Sequence, residues 1–577
     1  MKTKDLRFSD RACGCRLPLL AAVLGFLTLL PFRPAAAQVA NVRALNGREI
    51  RSSNGDLLPT PEEAATPVSG LSMPGSRRDW WLTDFERRSD RQISPSATTG
   101  VSTWIGGIGN WSNGAMWNPI DPPNSGGADV FVDGGNTGTA SAVTVDGTFT
   151  IGRLTIDAGD SVTVSNSNDF RVATGAFTGS GNIVNNGSFN LNTTGNTTRL
   201  FLTGNGGLTL SGTGTMTMSG GTANQITADT FNALFTNQST IQGIGNIGVN
   251  IIDVNNRGLI DANVTLSGSN SLYLDANATF TNSGTLRASN GGLLQLGASN
   301  YANAGGTILA TGTGSVVQLE TNAVISGGTL STAGGGLVQS AAGASATLIG
   351  VTNTGAYQGT NNSDTFLQGT ITNSGTITLN SAGNNTRLML NSSGATLAGG
   401  GSVILGGAGL NQISGNVFNA LLTNQANTIS GVGNIGANII DLNNQSLIDA
   451  NVPFTGANLL LIDANATVTN TGTLRASNGG LLDLGGGSYL NAGGTILATG
   501  TGSIVQLDNG AGVSGGTLAT SGGGIIQTAP GISAGLDNLS NTGNYLMSNN
   551  SDTRISGTIT NSGTMTLRAA GNAVRLI

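Results

Sequence analysis

Gly306-Thr307-Ile308-Leu309-Ala310 and Gly375-Thr376-Ile377-Thr378-Leu379 decide the fold. Each is short and rich in β-branched residues, alternates apolar with polar positions, and is bounded by Gly and Asn. That is the signature of a short strand between turns. A helix needs apolar residues every three to four positions and strong helix formers, and no window of a dozen residues around these segments offers them.

Both segments belong to a period marked by Asn/Ser-x-Gly followed by Thr and an aliphatic residue. Its glycines fall at Gly258, Gly284, Gly306, Gly328, Gly355 and Gly375, then at Gly472, Gly494, Gly516, Gly543 and Gly563. A mean spacing of ~23 residues signals a solenoid, and it is too short for each repeat to fold alone as a β-sandwich. The expected fold is all-β, a parallel β-helix. Each coil lays down two or three short strands, stacks its inward apolar residues on the next coil, and bonds to it along the axis at a spacing of ~4.8 Å. Gly and Asn supply the left-handed turn conformations, and asparagines recurring at one coil position can stack their amides into ladders. Residues 96–577 at ~23 per coil predict about 21 coils.

A longer repeat lies over the shorter one. Gly195-Asn196-Thr197-Thr198-Arg199-Leu200 returns as Gly383-Asn384-Asn385-Thr386-Arg387-Leu388 and as Gly571-Asn572-Ala573-Val574-Arg575-Leu576, at two equal intervals. The same step carries Thr285–Asn290 to Thr473–Asn478 and Ser363-Asp364-Thr365 to Ser551-Asp552-Thr553. The interval Gln238–Ile241 becomes Gln425–Ile429, one residue longer. Two full units span residues 181–368 and 369–556, and residues 557–577 begin a third.

The rest of the chain differs in composition. Residues 1–37 carry Lys2, Lys4, Arg7, Arg11 and Arg16 before an apolar run from Leu17 to Phe32 and Ala35-Ala36-Ala37. This is the layout of a cleaved secretory signal, and the run is short for a membrane span. Residues 38–95 carry eight basic and eight acidic residues with Pro59, Pro61, Pro67 and Pro74, and read as a polar flexible extension. Trp80, Trp81 and Phe85 within it suit a docking helix or a recognition segment. Residues 96–180 read as an aromatic cap and first coils. All five tryptophans precede residue 118, and Trp104, Trp111 and Trp117 suit a cover over an open strand edge, with a carbohydrate-stacking platform as the alternative.

Composition limits the chemistry. There is no His, and the only cysteines, Cys13 and Cys15, lie within the expected signal. Both lysines, Lys2 and Lys4, lie there too. Triads built on His, cysteine nucleophiles, the usual zinc ligand sets and lysine-based phosphate loops are therefore out of reach. A formal charge of −6 with dispersed arginines argues against nucleic acid. Carboxylate chemistry on a polysaccharide remains, with Asp253, Asp261 and Asp275 and their copies Asp441, Asp449 and Asp463 as candidates. The alternative for Asp261-Ala262-Asn263 and Asp275-Ala276-Asn277 is Asx turns that end strands. Arg199, Arg387 and Arg575 share one repeat position, as solvated turn residues or as a regularly spaced row along the rod. No residue is assigned a catalytic, cofactor or metal role.

The Trp104-to-Ser112 opening, the Val143-Thr144-Val145-Asp146-Gly147 strand and the long Gly/Asn/Thr array behind a signal resemble the passenger region of Gram-negative autotransporters and haemagglutinin-like adhesins with autotransporter-associated β-strand repeats. The resemblance covers roughly residues 100–577. It implies export, display at the outer membrane or release, and an adhesive or structural role toward a surface glycan, a protein or another copy of the chain. It also implies an outer-membrane translocator, for which the sequence shows no barrel pattern. Ile577 interrupts a repeat, and the chain reads as a fragment of a longer protein.

Overall fold

The computed structural model describes residues 100–133, 140–175 and 181–577, all within one compact unit, Ile93–Ile577. The expected signal at 1–37 and the extension at 38–95, with Trp80, Trp81 and Phe85, lie outside the described residues. Among the described residues there is no α-helix, and the one helical turn is a 3-10 turn at Gly114–Met116. The chain winds as a three-faced parallel β-solenoid. The first full turn lays Ala128–Val132 on face one, Ala142–Val145 on face two and Phe149–Ile151 on face three. Each strand pairs in parallel with the strand one turn later on its own face. Among the described residues face three holds 19 strands, which makes 19 turns. At ~4.8 Å per turn the stack is about 90 Å long. The count falls short of 21 because residues up to 127 build the cap rather than a full coil.

Alternation along each strand produces the core. In Thr307–Thr311 the residues Ile308 and Ala310 are buried while the threonines look outward. Leu286, Ile308 and Leu330 stack directly above one another on face two, all fully buried. Each such side chain contributes about 1.5–3 kcal/mol, and the column can lengthen as long as the period holds.

Corners demand glycine for two separate reasons. Gly243 has a φ of +117°, the left-handed backbone that the sequence pattern suggests. Gly284 does not. A Cβ there would lie 2.1 Å from the Gly258 carbonyl oxygen, because stacked corners leave no room for a side chain. Beside these corners the asparagines form the expected ladders. Asn237 donates to Asn256, Asn256 to Asn282 and Asn282 to Asn303, at 2.8, 2.8 and 2.7 Å. In the second copy Asn424, Asn444, Asn470 and Asn491 repeat the chain of bonds at 2.9, 2.8 and 2.7 Å.

At the N-terminal end Gly100–Trp104 pairs antiparallel with Trp117–Asn118 and parallel with Ala128–Val132. Trp104, Trp111 and Trp117 are buried and meet edge to face at 5.0 and 4.8 Å, and Trp111 rests on Phe170 at 5.2 Å. Their indole N–H groups donate to the carbonyls of Gly107, Pro123 and Trp111. Buried this way the rings cover the first turns and present no flat side to a sugar.

The long repeat does not close on itself. Thr198–Thr203 lies on face three, and eight turns later that face holds Thr376–Ser381. The counterpart of Thr198 is Thr386, one strand further on, where Thr386–Ala398 begins on face one. The third copy's Arg575–Leu576 lies on face two. The step from Gly195 to Gly383 is thus 8⅓ turns, and each copy is rotated by one face relative to the last.

Candidate functional site

The candidate carboxylates hold the coil together. Asp253 and Asp441 each cap two backbone N–H groups one turn on, those of Ala278 and Thr279 and of Ala466 and Thr467. Asp261, 2% exposed, accepts from Arg287 Nη2 at 2.6 Å and from the Ser289 hydroxyl at 2.9 Å, and Asp449 does the same with Arg475 and Ser477. These bonds cross to the next turn. The expected Asx turn at Asp261 is therefore corrected: the residue lies inside the strand Leu259–Ala262, and its side chain reaches outward to an arginine. Asp275 and Asp463 carry pKa values raised by burial. Asn277, beside Asp275, donates to Asn232 two turns back, as Asn465 does to Asn419.

The arginines are neither turn residues nor a row. Arg199, Arg387 and Arg575 lie on strands of faces three, one and two, each bonded to an aspartate one turn earlier. The partners are Asp169, Asp364 and Asp552 at 2.6–2.7 Å, and Arg199 also lies over the Phe201 ring with Arg171. A motif repeated in sequence looks a third of a turn away in space, so the positions cannot line up.

Two features escape the sequence reading. The first is a pair of exposed phenylalanines, Phe231 (65%) and Phe418 (67%), at equivalent corners. Asn232 and Asn419 follow them with φ of +62°, and the side-chain bonds from Asn277 and Asn465 pin those corners. Exposed loops add Val264 and Leu266 in the first copy, Val452 and Phe454 in the second. An exposed Phe carries no periodic signal; only its recurrence across the copies marks it. The second feature is Asp483, 9% exposed, whose Oδ1 is buried without a hydrogen-bond partner. Burial first, and Asp508 second, raise its pKa to about 6.

No family model matches the chain, and no curated protein or solved structure matches it either.

Proposed function

We propose that this chain is exported and acts as a surface-displayed or secreted rod, an adhesin or structural spacer of the autotransporter-passenger kind. The observation that carries the reading is the unbroken stacking of turns through both copies, which repeats polar corners and the Phe231 and Phe418 knobs on different flanks. Many weak contacts on one stiff support add through multivalency. The carboxylates that a polysaccharide-acting enzyme would use are instead bonded to backbone and arginine at Asp253, Asp261, Asp441 and Asp449. The partner is a glycan, a protein or a second copy, and an outer-membrane translocator would carry the chain out.

The chain, fused to an outer-membrane translocator barrel and expressed in a Gram-negative host, tests the reading. Protease should reach it on intact cells or in the medium, trimmed of residues 1–37, and cells carrying it should aggregate or hold to glycan- or protein-coated surfaces. Retention in the cytoplasm overturns the proposal. So does multiple-turnover release of reducing ends or unsaturated sugars from an acidic polysaccharide by the purified chain, which favours the lyase or hydrolase alternative.

A further inference from the structure

Asp483 holds the place in the second copy that Gln295 holds in the first. Gln295 lies in the strand Leu293–Leu296, in register with Gln318 and then Gln339 on the following turns. Gln295 and Gln318 each donate an amide N–H to Glu320 Oε1 at 2.8 Å, and Gln339 donates to Gln318 at 2.9 Å. The outward ladder of the first copy thus ends on a carboxylate fed by two donors. In the second copy Gln506, Asp508 and Gln527 take the places of Gln318, Glu320 and Gln339, and the bond from Gln527 to Gln506 persists at 3.0 Å. The contribution of Gln295 is missing, since an ionised Asp483 has nothing to donate.

The groups around Asp483 do not replace it. Gln506, in register on the next turn, hydrogen-bonds the Asp483 carboxylate and partly offsets its rise in pKa, while the charge of Asp508 on the same turn adds to that rise. Asp463 stands at the end of the preceding strand, Leu460–Ile462, close enough to feel the Asp508 charge. The Tyr489 hydroxyl lies within reach of all three charges, but it donates toward the carbonyls of Ile462 and Gly485, and burial keeps it neutral. No arginine figures among the charges acting on Asp483, Asp463 or Tyr489. Among the described residues no set of three or more acidic side chains is placed to hold a metal ion. Two carboxylates that feel each other's charge, with no cation to offset it, favour taking up a proton.

We propose that Asp483 and Asp508 share one proton, the protonated Asp483 donating to the Asp508 carboxylate as Gln295 does to Glu320, so that this turn closes in mild acid and loosens at neutral pH. The proton comes from solvent, one per chain. The folded pKa, about 6, lies above the ordinary 3.8, so the native turn binds the proton more tightly than the open chain does. The stabilisation is complete below about pH 4 and is lost as pH rises through about 6. The first copy, with an amide in this place, has no such dependence.

Hydrogen exchange on the full chain at pH 5.0 and 7.5, corrected for intrinsic rates, reads this directly, because residues 293–320 are an internal control for residues 481–508. The protection of 481–508 relative to 293–320 should be about tenfold higher at pH 5.0. Asp483→Gln should make the ratio indifferent to pH and at least as high as in the parent at pH 5.0. Asp508→Asn should move the midpoint to lower pH, with the control segment confirming that the chain is folded. A pH response that survives Asp483→Gln, or a midpoint unmoved by Asp508→Asn, overturns the proposal. Recovery of protection at pH 7.5 on adding calcium alone also overturns it, since the pair would then hold a metal.

Discussion

Asn373 and Asn185 occupy the same repeat position, and a single inserted residue separates their circumstances. Asn427, the extra residue between Gln425 and Thr428, accepts from Asn373 Nδ2 at 2.7 Å, while Asn353 donates to Asn373 at 2.8 Å. In the first copy the corresponding stretch runs from Gln238 directly to Ser239, whose hydroxyl turns to the Gly214 carbonyl. Asn185 is fully buried there, with neither side-chain amide atom hydrogen-bonded. A stranded buried polar group costs about 1–3 kcal/mol, so the near-isosteric Asn373→Leu should destabilise its turn by about 2–4 kcal/mol. Asn185→Leu should be neutral or stabilising. Exchange-derived opening energies of the two segments check the pair. Sequence reasoning finds the ladders because Asn recurs beside Gly at a fixed period. It cannot find the pairing of Asp261 with Arg287, because residues 26 apart meet only once the turn length is known.

Among elements, corners are the least forgiving. Gly284→Ala forces a methyl group onto the Gly258 carbonyl and should strip exchange protection from the turns on either side. Gly305→Ala, at a φ of +79° with open space around the Cβ, should cost only backbone strain, about 1 kcal/mol. A thermal-unfolding comparison of the two variants separates crowding from conformation. The Phe231 and Phe418 corners behave oppositely: they are rigidly built yet their rings bury little. Phe231→Ala with Phe418→Ala should leave the melting temperature within about 1 °C, as surface substitutions usually do. Adhesion or aggregation should fall. An unchanged adhesion curve would remove these rings from the contact surface. Strands and glycine corners were legible in the alternation of Thr307–Thr311 and in the Asn-x-Gly marks. The exposed aromatics were not, because a single ring outside a period looks like any other apolar residue.

At the scale of the solenoid the long step is a whole number of strands, 25, although it is not a whole number of turns. Deleting residues 199–386 removes one step and joins Thr198 to Arg387, restoring the Thr-Arg-Leu strand. The shortened chain should fold, with the stack about 40 Å shorter at ~4.8 Å per turn by solution scattering. Deleting one residue more than four turns, residues 199–293, puts Leu294 in the outward place of Arg199 and should yield an aggregating product, since a slipped register turns apolar residues outward. Repeat arrays tolerate gain and loss of units because each turn leans only on its neighbours. The period itself was plain in the sequence. Its fraction was hidden, because strands such as Asp364–Asn373 round a corner without a break and are counted only when their pairing on two faces is seen.

That leftover third gives copy number a second meaning. A solenoid that gains one unit does not simply grow longer; its outermost flank swings to a new compass bearing, and three gains are needed before it looks the same way again. Duplication or loss of one segment would thus re-aim the tip toward a different neighbour while every side chain keeps its chemistry.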